Sequence, residues 1–308
     1  MAGERSVTVR CPSKINLFLE VLGKRPDRYH DIETVMVEFP ALDDLTVASR
    51  EEPGVGLGVE CPGHRWDLPG GDANLVSRAA LAVLGEVRDP PGVRIRLTKG
   101  IPPGAGLGGG SSDAAAALRA VNDLLGRPVD AERLHALAAG LGSDVPYFLR
   151  GGCAVARGRG EALEPGPGID AERFLLVVLY PGAAASTSEV YRRCIPASPE
   201  DRRRPDEVLY ALRSGDAGAL SAACFNRLER PAAEVCPAIG RAMGNLRSLG
   251  LGEPHLTGSG SACFLVRPFS PEEMSDEGVR ERATDGLPGA VLMRGDPGRR
   301  PAGTVHGA

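Results

Sequence analysis

Lysine is nearly absent from this 308-residue chain: Lys14, Lys24 and Lys99 are three of its 36 basic residues, and the rest are arginine. A GC-rich coding sequence accounts for the imbalance, because it raises Arg, Ala, Gly and Pro at the expense of Lys. The three segments in which lysine persists are singled out by that drift. An excess of either charge is also missing. Forty acidic residues against 36 basic ones give a net charge of −4 and a pI near 5.8, which excludes the global basic field that draws proteins to nucleic acid or anionic lipid. The longest strongly apolar stretch, Phe174 to Tyr180, is far short of the roughly 20 residues that span a bilayer. Met1 to Ser6 carries charge but no apolar run, so no secretory signal is expected and the cytoplasm is the expected location. The seven cysteines are odd in number, scattered and never arranged as C-x-x-C, and the five histidines never fall at metal-ligand spacing. Reduced structural thiols are expected, not a disulfide framework or a zinc site.

What is present is globular. Apolar residues make up 42% and charged residues 25%, a balance that excludes a fully disordered chain. The length suggests about two domains. Ser6 to Arg10 alternates like a strand, and Ile15 to Leu22, Thr34 to Phe39, Leu45 to Ala48 and Val55 to Val59 are further strand candidates. Asp72 to Asn74 offers caps for a helix over Leu75 to Leu84, and Val93 to Leu97 alternates cleanly. The clearest helix starts at about Ser112: Ala114, Ala117, Leu118, Val121, Leu124 and Leu125 repeat at helical spacing, and Gly126 closes it. Asp130 caps another helix through Leu141. Pro165 to Gly168 lies between the strand-like segments Gly152 to Ala156 and Phe174 to Leu179, and is the best domain boundary. Helices over Pro205 to Ser214, Ala217 to Leu228 and Pro237 to Leu249, with a strand at Ala262 to Val266, complete an α+β pattern. Residues 1–165 and 166–296 are read as two domains, and 297–308 as a disordered tail.

Pro102-Pro103-Gly104-Ala105-Gly106-Leu107-Gly108-Gly109-Gly110-Ser111-Ser112-Asp113 is the most informative stretch. Glycines without side chains let backbone N–H groups close on an anion, and a helix opening at Ser112 adds free N–H groups and a positive dipole end. The two serine hydroxyls can cap the helix, touch phosphate oxygens or ligate Mg²⁺. Gly104 to Gly109 formally satisfies the dinucleotide-binding G-x-G-x-x-G. However, five residues separate the end of the strand at Leu97 from Pro103, and no acidic residue ends a strand about 20 residues on. A P-loop fails because no lysine follows the glycines. A glycine loop with only a structural role stays open on these residues alone.

Residues 102–113 resemble the P-x-x-x-G-L-G-S/G-S-S loop of the GHMP small-molecule kinases, the superfamily of galactokinase, homoserine kinase and mevalonate kinase. Cys11 to Leu19 (CPSKINLFL) resembles the N-terminal A-P-A-K-I-N-L-x-L of the same superfamily, and Leu256 to Ala262 (LTGSGSA) its C-terminal glycine-serine motif. Three further segments resemble one branch, whose acceptor is a cytidine-diphosphate-linked methylerythritol of the non-mevalonate isoprenoid route. These are Lys24 to Ile32 (KRPDRYHDI), Leu141 to Phe148 (LGSDVPYF) and Ser186 to Tyr191 (STSEVY). The resemblance implies a two-domain GHMP kinase fold, with an N-terminal domain like ribosomal protein S5 domain 2 and a ferredoxin-like C-terminal domain. It also implies an ATP- and Mg²⁺-dependent kinase acting on a small-molecule alcohol, as a monomer or weak homodimer, with no nucleic-acid or membrane partner. Homoserine and mevalonate are the alternative acceptors.

By the same resemblance, Asp144 accepts the acceptor's hydroxyl proton and Lys14 orients Asp144 and stabilises developing charge. Pro102 through Ser112 would hold ATP, with Asn74 and Lys99 near the adenine. Asn16, Tyr29, His30, Thr187 and Tyr191 would hold the acceptor, the two tyrosines stacking on the cytosine and His30 bonding its edge. Asn16 could equally be structural, the identity of any metal ligand is open, and His255 reads as structural. Arg28 stands where the branch has glycine; if that position has a positive φ, arginine strains the turn before Tyr29 and His30.

Overall fold

The computed structural model describes residues 5–170, 173–268, 277–295 and 304–306. In chain order the elements are β1 (Ser6–Lys24), β2 (His30–Arg50), β3 (Val55–Glu60), α1 (Leu75–Leu84), β4 (Gly92–Thr98), α2 (Gly109–Leu124), α3 (Ala131–Leu141), α4 (Val145–Arg150), β5 (Cys153–Gly158) and β6 (Ala162–Pro165). There follow β7 (Phe174–Tyr180), α5 (Thr187–Arg193), α6 (Asp206–Ser214), α7 (Ala217–Ala223), β8 (Phe225–Asn226), α8 (Glu229–Val235), α9 (Pro237–Ser248), β9 (His255–Leu256), β10 (Cys263–Pro268), α10 (Glu277–Thr284), β11 (Val291–Gly295) and β12 (Thr304–His306).

Two sheets organise these elements. The first runs β12-β1-β2-β4-β3, with β5 on β2, β6 on β5 and β8 on β1; the second runs β11-β7-β10-β9. The chain leaves the first sheet after Pro165, yet β8 returns to it, pairing parallel with Phe18 and Leu19. The tail expected to be disordered falls mostly outside the described residues; Thr304–His306 pairs with Ser6–Thr8.

The two strands read at Ser6–Arg10 and Ile15–Leu22 are one 19-residue strand. Pro12, which has no N–H to give a ladder, sits at a register shift between Cys11 and Ser13, and this breaks the alternation that sequence reading follows. From Lys14 to Val21 every residue of β1 is buried, because both of its faces are covered. On one side Cys11, Met36, Leu45 and Ile95 pack with α1 and α2. On the other Ile15, Leu17, Val35 and Val37 meet Phe174, Leu176, Val178 and Phe264 of the second sheet. β7 behaves alike: Leu176 and Val178 serve that shared core while Val177 and Leu179 serve a third, with α8 and α9. An unbroken apolar run is the sequence form of a strand buried on both faces.

The helix over Leu75–Leu84 has the boundaries the sequence predicts, with the Asn74 carboxamide accepting from Val76 N at 2.9 Å. α3 is capped by Asp130 as expected. The helix read as Ala217 to Leu228 stops at Ala223, because Asn226 is drawn to the sheet and donates to the Leu256 and Gly258 carbonyls at 2.8 and 2.7 Å. All seven cysteines are free thiols, as their spacing suggested. No helix among the described residues is long and apolar enough to cross a membrane.

Candidate active site

Strand alternation places Lys14 and Asn16 on the face opposite Ile15 and Leu17. Lys14 is only 4% exposed. Its ammonium donates to Asn16 Oδ1, and its backbone N–H donates to Leu107 O at 2.9 Å, tying β1 to the glycine loop. Burial lowers the Lys14 pKa, and the Asp144 carboxylate opposes that shift. The Asn16 carboxamide is engaged at both ends: Nδ2 donates to Thr34 Oγ1 at 2.8 Å, and Oδ1 accepts from Thr257 as well as Lys14. Its arrangement holds Lys14 in place.

The glycine loop packs against the turn that contains Thr257 and Gly258. A Cβ on Gly106 (φ 80) would lie 2.5 Å from the Thr257 carbonyl oxygen, and one on Gly108 (φ 73) 2.8 Å from the Phe148 ring. Only glycine meets both the left-handed backbone and the approach. α2 starts at Gly109, three residues earlier than expected, with Gly108 as its N-cap and no side chain capping it. Ser111 and Ser112 therefore sit in the first turn instead of capping the helix. The Ser112 hydroxyl is buried with no hydrogen-bond partner.

A cavity of about 850 Å³ opens beside this loop. Lys14, Asn16, Tyr29, His30, Gly106, Gly108, Asp144, Thr187, Tyr191 and Ser259 all contribute to its walls. Asp144 precedes α4, but its side chain makes no capping hydrogen bond to that helix, so the usual structural use of such an aspartate does not apply here. The His30 and Tyr191 rings lie 5.0 Å apart at 30°. The Tyr191 hydroxyl is pushed up in pKa by burial and then by the Asp144 charge, which keeps it a protonated donor. Burial, reinforced by the charge of Lys24, lowers the pKa of His30 and favours the neutral ring. Thr187, the first residue of α5, shares a 2.9 Å hydrogen bond with Ser259. Tyr29 is 56% exposed at the mouth, with the Arg159 guanidinium 5.0 Å from its ring centre.

Arg28 has φ 71, so the strain anticipated for a side chain at that position is real. A lattice of bonds holds the turn: Arg25 pairs with Asp27 at 3.2 Å and Asp31 at 2.6 Å, Arg25 N donates to Tyr29 O at 2.8 Å, and Tyr29 N donates to Asp27 Oδ1 at 3.1 Å.

Two residues expected at the nucleotide lie off the cavity. Asn74 uses its side chain to cap α1 and to bond Pro69 O at 2.8 Å. Lys99 is buried and donates to Asp43 Oδ2 and, at 2.7 Å, to Asp113 Oδ2. Asp43 Oδ1 in turn accepts from Gly100 N and Ile101 N at 2.6 and 2.7 Å, the two residues leading into Pro102. Lys99 is the bolt of a latch that holds the glycine loop to α2; two buried carboxylates converging on one point need a cation there. Burial pushes the Asp113 carboxyl up to about 7, against the pull of Lys99. His255 is structural, as read: its Nε2 lies 3.0 Å from Ser221 O and its ring packs on Phe264.

Thr34, Arg159, Gly258 and Ser259 also line the cavity and were not singled out as site residues. The motif at 256–262 contained the signal for the last two. Arg159 had none, since nothing in the sequence relates it to Tyr29 across 130 positions.

Residues 74–152 match the family described as the GHMP kinases N terminal domain. Over 284 residues the chain is 41% identical to the 4-diphosphocytidyl-2-C-methyl-D-erythritol kinase of Pelotomaculum thermopropionicum, covering 91% of this chain and 95% of that one. A crystal structure of 4-(cytidine 5′-diphospho)-2C-methyl-D-erythritol kinase superposes with a TM-score of 0.70 at 38% identity, covering 95% of this chain and 99% of the other. Homoserine kinase from Cytophaga hutchinsonii superposes with a TM-score of 0.72 at only 17% identity, covering 99% of both, a likeness of fold alone. The chain belongs to the 4-diphosphocytidyl-2-C-methyl-D-erythritol kinase family, within the GHMP kinases.

Proposed function

We propose that the chain transfers the γ-phosphoryl group of ATP to the 2-hydroxyl of 4-diphosphocytidyl-2-C-methyl-D-erythritol, with Asp144 as base. The observation that carries the reading is the convergence of Lys14, Asp144 and the His30–Tyr191 pair on one cavity walled by Gly106 and Gly108. Tyr29, His30 and Tyr191 hold the cytosine by stacking and an edge hydrogen bond, and Thr187 holds the acceptor from α5. Asp144 takes the hydroxyl proton as the new O–P bond forms and the bond to the leaving ADP oxygen breaks. Such a base contributes about 10²- to 10⁴-fold. Lys14, fixed by Asn16, keeps its ammonium beside the charge that develops on the transferring group. Asn16 is thus a positioning residue.

ATP supplies the phosphoryl group, and the backbone N–H groups of residues 104–110 with the α2 dipole suit its phosphates. Among the described residues no group of three or more His, Cys, Asp or Glu could hold a metal by itself. Mg²⁺ would therefore arrive on the nucleotide, with the partnerless Ser112 hydroxyl and Ser111 the protein oxygens at hand, and would neutralise phosphate charge. Asn74 and Lys99 act on the nucleotide site indirectly, by fixing the starts of α1 and α2. In this reading residues 1–165 form the S5 domain 2-like unit that carries the phosphate loop, and residues 166–296 the ferredoxin-like unit.

A coupled ADP-release assay with the cytidine-linked acceptor, homoserine and mevalonate tests the reading. Turnover of the first alone is expected; comparable turnover of either other alcohol overturns it.

A further inference from the structure

Arg28 holds a left-handed backbone conformation that any side chain disfavours, and nothing in the phosphoryl transfer requires it. Five cationic side chains line the cavity, Lys14, Lys24, Arg28, Arg159 and Arg192, against one carboxylate, Asp144. Three of the five are already engaged or buried. Lys14 is bound to Asn16, Arg192 is forked onto Glu189 at 2.6 to 2.9 Å, and Arg159 has Glu161 at 3.7 Å, a carboxylate that also accepts from the Arg159 backbone N–H. Among the described residues neither Lys24 nor Arg28 has an ion-pair partner. Arg28 directly precedes Tyr29, Lys24 pairs with His30 across β1 and β2, and the Arg159 guanidinium lies over the Tyr29 ring. Uncommitted positive charge is therefore gathered around the aromatic platform, while the buried Lys14 ammonium is held by Asn16. A base held on that platform carries its 5′-phosphates on the adjoining ribose, and arginine and lysine at a cavity mouth are the side chains that receive such an anion.

We propose that Arg28, with Lys24, binds the diphosphate of the acceptor and makes the site select a nucleoside diphosphate over a bare nucleoside. This rests on the cytidine-linked acceptor of the preceding section and deepens it. The strained φ is then retained because it sets a charged side chain at the cavity mouth where glycine would set none.

The test is calorimetric titration of CDP and of cytidine into the full-length chain and into two variants. Arg28→Asn keeps a residue that tolerates the left-handed region but removes the charge; Arg28→Lys keeps the charge. CDP should bind Arg28→Asn about tenfold more weakly, the worth of one charge-assisted hydrogen bond to phosphate. Cytidine should bind all three proteins alike, and Arg28→Lys should recover most of the loss. The KM for the diphosphate-linked acceptor should rise in step, with no change in the KM for ATP. Equal weakening of CDP and cytidine would make Arg28 a turn-shaping residue only and overturn the proposal. So would unchanged CDP binding, or a wild-type protein that does not prefer CDP to cytidine. The acceptor assignment fails separately: wild-type protein that discriminates CDP through Arg28 but does not phosphorylate the cytidine-linked alcohol refutes that assignment and leaves the anion site standing.

Discussion

Lys99→Met removes the bolt of the buried latch, and the structure sets the size of the loss. Lys99, Asp43 and Asp113 have side chains 5%, 0% and 3% exposed. Removing one partner of a buried ion pair typically costs about 3–5 kcal/mol, and here two carboxylates lose the same cation. Asp43 keeps its bonds from Gly100 N and Ile101 N, but Asp113 Oδ1 already has no hydrogen-bond partner, so Asp113 would lose the charged donor that holds its other oxygen. The loss should sit at the upper end, about 5 kcal/mol near pH 7.5, a large part of a stability that is ordinarily about 5–15 kcal/mol. A carboxyl whose folded-state pKa is raised above its unfolded value contributes stability that is complete below the unfolded pKa and lost as pH rises through the folded one. Asp113 is raised to about 7 even with Lys99 present, and without the cation it rises further. Below about 7 both proteins carry the Asp113 proton and the defect should be level; above it the defect should grow, by up to about 1.4 kcal/mol per pH unit. Urea unfolding of the wild type and Lys99→Met at pH 8.5 and 6.5 reads both effects, and Lys99→Met/Asp113→Asn should recover part of the loss at pH 8.5. A loss below about 1 kcal/mol, far under that expected for a broken buried pair, would refute the reasoning. A loss identical at the two pH values would do so too.

Three other outcomes follow from the same contacts. Lys14→Arg should lower kcat at least ~100-fold, as loss of a placed charge-stabilising donor does. A guanidinium fork does not fit where an ammonium is held by Asn16 and where the Lys14 Cγ lies 3.2 Å from the Cβ position of Gly108; a rate within threefold of wild type contradicts this. Arg28→Gly should raise folding stability by about 1 kcal/mol in urea, because it relieves a left-handed side-chain-bearing residue, and a loss of stability would be the contrary result. Gly106→Ala should raise the KM for ATP and destabilise the fold by roughly 1–3 kcal/mol, since its Cβ would meet the Thr257 carbonyl oxygen at 2.5 Å on a positive-φ backbone; steady-state kinetics and unfolding curves indistinguishable from wild type would refute it.

The parts of the fold and site that were legible in the sequence are those governed by local spacing. The Asn74 and Asp130 caps and the unbroken apolar run of β7 each follow from chemistry within a few residues, and each is found where expected, whereas α2 begins inside the glycine run, with Gly108 as its N-cap. β1 was misread at Pro12 because a bulge lets a proline sit inside a long strand. The helix after Ala217 was misread because Asn226 answers to carbonyls 30 and 32 residues away. At the site, motif positions brought Lys14, Tyr29, His30, Asp144, Thr187 and Tyr191 to one cavity, whereas Lys99 went to a buried latch. A lysine ahead of a phosphate loop looks the same in sequence whether it faces the ligand or the core. Only the positions of Asp43 and Asp113, 56 and 14 residues away, decide between them.

The central claim is that Asp144 is the base of a kinase acting on the cytidine-linked alcohol, and Asp144→Asn tests it most directly, since the substitution keeps the side-chain shape and removes the proton acceptor. Single-turnover phosphorylation of that alcohol, measured alongside CDP affinity, should show the rate falling about 10³-fold with CDP binding retained. A rate within tenfold of the wild type, with CDP still bound, would contradict the account.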